Sequence, residues 1–144
     1  MIVAIGCDHA GFDVKEKIKK YLIHELLFEV IDVGTSSIDS VDYPNFGHKV
    51  GKQVSDGTAD KGIVVCGSGI GIGMAANKIS GVRAATVHNV ETATLARQHN
   101  DANIVCFGER LIEVETARES LIAFLNAEFE GGRHTQRVQK LNDL

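Results

Sequence analysis

Cys66 stands at the head of the run Cys-Gly-Ser-Gly-Ile-Gly-Ile-Gly, with glycines at 67, 69, 71 and 73. Glycines at alternate positions let a backbone come close to a bound group and turn its N–H donors toward it. A thiol facing such dipoles at a helix N-terminus is favoured as thiolate, the nucleophilic or basic form. The stretch therefore suggests a reactive sulfur beside an oxyanion or phosphate cradle. Ser68 either adds a hydroxyl to that cradle or serves as a small turn residue.

Other readings of the glycines fit less well. Gly71, Gly73 and Ala76 satisfy the dinucleotide pattern G-x-G-x-x-A, but no acidic residue closes the next strand pattern, where a ribose would need one. No Lys-Ser/Thr follows the glycines, as a Walker A loop requires. Ile72 stands where a phosphatase-like loop would carry an arginine.

Two further groups of residues carry chemistry. Asp8 and His9 follow an apolar run and suit sugar hydroxyls or proton shuttling, or Asp8 simply caps a helix. Arg133 and Arg137 share a face if the tail is helical, which suits a phosphate monoester or forms a solvated basic tail. His24 and His48 read as surface or packing residues, and no zinc-type spacing of histidines or cysteines occurs. Together these groups describe proton transfer beside a carbonyl on a small phosphorylated substrate. That chemistry needs no cofactor.

The chain has 144 residues, enough for one domain with a single core. Hydrophobic residues make up 44% and charged residues 24%, a globular composition, and the net charge of −4 argues against general nucleic-acid binding. Three unclustered cysteines and the lack of an apolar leader lead to the expectation of a reducing cytoplasm and no membrane association.

Apolar runs at 1–6, 28–33, 63–66, 82–87 and 102–107 predict five strands. Between and after them, helical patterns are read at 12–27, from about 45 to 55, from 71 onward, at 91–99 and at 114–128, with a short helix closing the tail. Val14, Ile18, Tyr21, Leu22 and Leu26 form the apolar face of the first helix, which leaves Lys15 and Lys19 off it. Pro44, the only proline, stands where the second helix could begin. The alternation predicts a three-layer α/β/α Rossmann-like fold with a five-stranded parallel sheet and a C-terminal helical tail. Ligands of such sheets bind beyond the carboxyl ends of the strands, where Asp8, His9, Cys66, Gly67, Ser68, Gly69, Ile70, Gly71 and Arg110 are expected.

His99 and Asn100 end the fourth helix and precede the fifth strand, so they are expected near the opposite sheet edge. A helix of about ten residues spans about 15 Å. Within one chain they should not reach Cys66. If they are functional, a second subunit supplies them.

The motifs Gly-Cys-Asp-His-Ala-Gly-Phe at 6–12, Ser-Val-Asp-Tyr-Pro at 40–44, Val-Cys-Gly-Ser-Gly-Ile-Gly at 65–71, Ala-Asn-Lys at 76–78, Arg-Gln-His-Asn-Asp-Ala-Asn at 97–103 and Glu-Phe-Glu-Gly-Gly-Arg-His-Thr-Gln-Arg-Val at 128–138 span the chain. In these the sequence resembles the type B ribose-5-phosphate isomerases, relatives of the galactose-6-phosphate isomerase subunits. The resemblance implies interconversion of ribose 5-phosphate and ribulose 5-phosphate through an enediolate, as a step of the pentose phosphate pathway. It implies no metal or cofactor, and a homodimer with shared sites; pairing of dimers into a tetramer stays open. It assigns Cys66 as the base, the backbone of Gly67 to Gly71 with Ser68 as the enediolate cradle, and His99 with Asn100 as the ring-opening pair of the partner subunit. Asp8, His9 and Tyr43 would bind hydroxyls, and Arg110, Arg133 and Arg137 the phosphate. Cys66 with apolar Ile72 places the chain in the cysteine-using branch. Activity on allose 6-phosphate or galactose 6-phosphate, or a non-catalytic nucleotide-binding role, are the alternatives.

Overall fold

A computed structural model describes all 144 residues. Five strands alternate with helices: β1 (Ile2–Cys7), α1 (Phe12–His24), β2 (Glu29–Asp32), α2 (Tyr43–Ser55), β3 (Lys61–Cys66), α3 (Ile70–Ala76), β4 (Ala84–Thr86), α4 (Val90–Asn100), β5 (Ile104–Gly108), α5 (Val114–Asn126) and α6 (Arg133–Asn142). A 3-10 turn, His9–Gly11, joins β1 to α1. All strands are parallel in the order β2-β1-β3-β5-β4, so β3 is central.

The expected three-layer architecture is observed, with helix ends adjusted. The first helix stops at His24 because the chain turns back through Leu27, which takes a left-handed φ of 56°. The fourth strand shortens to three residues, Ala84–Thr86, as an edge strand paired only to β5. Pro44 falls in the first turn of α2, where its missing N–H removes no helical bond.

Alternation along the buried strands divides the core between the two faces of the sheet. Ile63 and Val65 join Val14, Ile18, Leu22, Leu121 and Phe124 beneath α1, α4 and α5. Val64 and Cys66 face the other way, with Phe46, Val50, Ile72 and Ala76 of α2 and α3. Each fully buried aliphatic side chain contributes about 1.5–3 kcal/mol. The same alternation delivers the Cys66 sulfur to the side where α3 begins.

Lys15 departs from the periodic reading. It is 1% exposed and not on a solvated face. Its Nζ donates to Asp32 Oδ2 at 2.9 Å, to the Glu16 carboxylate and to the Thr35 carbonyl at 3.4 Å. Lys19 reaches the same Asp32 oxygen at 2.7 Å. A buried ammonium is tolerated only when paired in this way.

Candidate active site

Cys66 ends β3 in register with Gly108 of β5, and the two strand ends interlock. The N–H of Glu109 donates to the Cys66 carbonyl at 2.9 Å, and that of Arg110 to the Gly67 carbonyl at 3.1 Å. Gly69 carries the turn into α3 with φ 76°, a left-handed conformation that disfavours a side chain. A Cβ there would also stand 2.8 Å from the Phe107 carbonyl carbon.

That conformation aims the Gly69 N–H at the Cys66 Sγ, 3.1 Å away. The N–H groups of Gly67, Ser68 and Gly71 have no partner within the chain. The Ser68 hydroxyl accepts from the Ile70 N–H at 3.3 Å. A sulfur with one donor aimed at it thus lies among three free backbone donors. Such a turn can hold an oxyanion as its charge develops.

The other two cysteines lack this setting. Burial pushes the Cys7 thiol up to about 12, against the pull of Lys15. Burial likewise raises Cys106 to about 12, although Thr86 hydrogen-bonds it. Both are strand residues of the closed core, as their position in apolar runs predicts.

Around the turn stand residues from the ends of β1 and β5 and from the start of α2. The Asp8 Oδ1 accepts from the N–H groups of Ala10 and Gly11 at 3.0 and 3.1 Å, so it caps the 3-10 turn before α1 and not α1 itself, whose N-cap is Gly11. The His9 Nδ1 accepts from the Val41 N–H at 3.1 Å, which leaves Nε2 to carry the ring proton and donate. Tyr43 lies over Gly71, and the Arg110 guanidinium lies against Gly67. The structure thus gathers Asp8, His9, Tyr43, Arg110 and the turn from Cys66 to Gly71 at the carboxyl edge. Gly73 is dictated by packing rather than by a dinucleotide, since a Cβ there would meet the Cys106 Sγ at 2.9 Å.

His99, Asn100, Arg133 and Arg137 belong to a second group. Asn103, four residues past His99, pairs with Gly62 and Arg83 at the edge where the strands begin. The turn between them is locked by Arg97 to Asp101 at 2.6 Å, Arg83 to Asp101 at 3.0 Å, and a left-handed Asp101 of φ 45°. His99 stacks on His134 of α6 with ring centroids 4.3 Å apart. Arg133 and Arg137 are exposed on the same helix. Burial, then the neighbouring His99 and Arg133, hold His134 below the usual imidazole range. His134 lies inside a quoted motif, but nothing in the one-dimensional pattern marks it as the neighbour of His99. Arg97 and Asp101 were likewise legible only as part of a motif.

The model of the Ribose/Galactose Isomerase family matches residues 3–141. The chain belongs to this family. Ribose-5-phosphate isomerase B of Escherichia coli is 45% identical over 142 residues, which cover 99% of this chain and 95% of that protein. A ribose-5-phosphate isomerase B structure from Clostridium thermocellum superposes with a TM-score of 0.97 at 47% identity, covering 99% of this chain and 96% of the other. The enzyme of Mycoplasma genitalium, solved with bound ribulose-5-phosphate, superposes at 0.94 with 40% identity, covering 99% and 94%. The five-stranded parallel sheet is thus the fold of this isomerase family. No helix is long and apolar enough to cross a membrane.

Proposed function

We propose that the chain is an aldose–ketose isomerase that interconverts ribose 5-phosphate and ribulose 5-phosphate. The observation that carries this reading is the Cys66 sulfur set among the free N–H groups of Gly67, Ser68 and Gly71. In the open-chain aldose, Cys66 takes the C2 proton. The C–H electron pair forms the C1–C2 double bond, and the carbonyl pair moves onto O1. The backbone donors stabilise the oxyanion of this enediolate, and Ser68 stands beside them. Return of that proton from the Cys66 thiol to C1, with transfer of the O2 proton to O1, gives the ketose. Asp8, His9 and Tyr43 bind hydroxyls, and Arg110 faces the phosphate end.

His99, with Asn100 beside it, opens the furanose ring, and Arg133 and Arg137 complete the phosphate site. Since these residues lie on the edge away from Cys66, a working site takes them from a second copy of the chain. A single isomerase domain acting as a homodimer follows from this reading, and the three unclustered cysteines suit a reducing cytoplasm.

The test is to mix Cys66→Ala and His99→Ala under conditions that exchange subunits. Each variant alone loses about 10²–10⁴-fold in turnover, the usual contribution of an acid or base group. Their hybrid regains one intact site per dimer. Exchange confirmed by mass spectrometry without recovery would reject the shared site. Normal exchange of the C2 proton in Cys66→Ala would reject the base.

A further inference from the structure

Three ligating side chains, one from α4 and two from the stretch 130–134, meet beside the end of α4. His99 comes from its last turn, Glu130 from the loop after α5, and His134 from the first turn of α6. One ligand atom from each lies within 4.8 Å of the others. Glu130 Oε2 is 3.8 Å from His99 Nε2 and 3.9 Å from His134 Nε2. Backbone bonds hold the frame: the Glu130 N–H donates to the Gln98 carbonyl and the His134 N–H to the Gly131 carbonyl, both at 3.0 Å. The side chain of His134 is only 9% exposed, yet its Nε2 faces a carboxylate that lies beyond hydrogen-bond reach. Such a nitrogen is a donor atom with no assigned partner.

We infer that His99, Glu130 and His134 form an inhibitory site for a divalent ion of the zinc class. Two imidazoles and one carboxylate suit Zn²⁺, Co²⁺ or Ni²⁺, whereas Mg²⁺ and Ca²⁺ prefer all-oxygen shells. Three protein ligands leave a fourth position for water or a substrate oxygen. Bonds of about 2.0–2.2 Å put tetrahedral ligand atoms about 3.3–3.6 Å apart, so the two carboxylate–imidazole separations need only a small contraction, whereas the two imidazoles, within 4.8 Å of one another, must reorient. The rings lie within 11° of parallel, and closing on an ion turns each out of the stack. Their lone pairs then converge. An ion held on the His99 imidazole takes away the group that opens the sugar ring. That consequence, though not the binding itself, rests on the role proposed above for His99.

Co²⁺ titration of the full-length protein, followed by visible absorption, tests the site apart from activity. One ion per chain is expected, with the intense bands of a low-coordinate complex. Glu130→Gln and His134→Ala should each weaken it at least about tenfold, since even residues behind the ligands contribute that much. Cys66→Ala should bind as the native chain does. In parallel, Zn²⁺ should inhibit turnover of ribose 5-phosphate and a chelator restore it, while Glu130→Gln turns over normally without metal and resists Zn²⁺. Unchanged Co²⁺ binding in both ligand variants, or loss of it in Cys66→Ala, would overturn the site. Binding that follows the variants but leaves turnover intact would overturn the inhibition, and with it the role of His99, without touching the ion site.

Discussion

The ring of Tyr43 lies so close over Gly71 that a methyl group at position 71 would stand 2.6 Å from the tyrosine Cζ. No real Cβ makes such a contact, so Gly71→Ala must push the ring aside. A Gly→Ala change inside a helix otherwise gains up to about 1 kcal/mol. We expect a KM for ribose 5-phosphate raised about tenfold, worth about 1.4 kcal/mol, with an unaltered melting temperature. Tyr43→Phe should share the direction of the effect. Unchanged KM in both variants would remove Tyr43 from the substrate site.

Cysteine labelling should follow the three environments. Iodoacetamide at neutral pH should modify Cys66 alone, because Cys7 and Cys106, both pushed up to about 12 by burial, stay protonated. Peptide mass mapping reads the outcome. Bound ribulose 5-phosphate should slow the labelling, and denaturation should expose all three thiols. Modification of Cys106 in the folded protein would contradict this picture.

The Lys15 network makes a prediction about acid stability. Hydrogen bonds from Lys15 and Lys19 hold the Glu16 carboxyl below its ordinary range. For Asp32, burial pushes upward but the bonds from Lys19, Lys15 and the Gly34 N–H outweigh it. Both groups are therefore depressed in the folded state. Their stabilisation is present above the unfolded carboxylate pKa and is lost as pH falls through the folded value. Urea denaturation between about pH 3 and pH 6 should show this loss, and Lys15→Met should flatten it. An equal slope in the variant would mean that the buried ammonium does not stabilise these carboxylates.

The glycine turn was legible because its chemistry is local. Four glycines and a thiol in eight consecutive residues carry the cradle whatever surrounds them. The strand-end rule then placed Asp8, His9 and Arg110 beside it. Helical periodicity misplaced Lys15, because it records polarity and not the Asp32 carboxylate that reaches across from β2 to meet a buried charge. The pairing of His99 with His134 escaped for a related reason. It joins the ends of α4 and α6 through tertiary packing, and no spacing along the chain encodes it.

The strand order has a consequence for the newborn chain. β3, which carries Cys66, takes one neighbour from the stretch already synthesised and the other, β5, from a stretch still to come. The carbonyls of Cys66 and Gly67 are fastened by Glu109 and Arg110, so the turn cannot close on the ribosome until those residues have emerged. At about 5–20 residues per second, the thiol waits several seconds in an unfinished setting. Any truncation before β5 would leave Cys66 without the partners that fasten the turn around it.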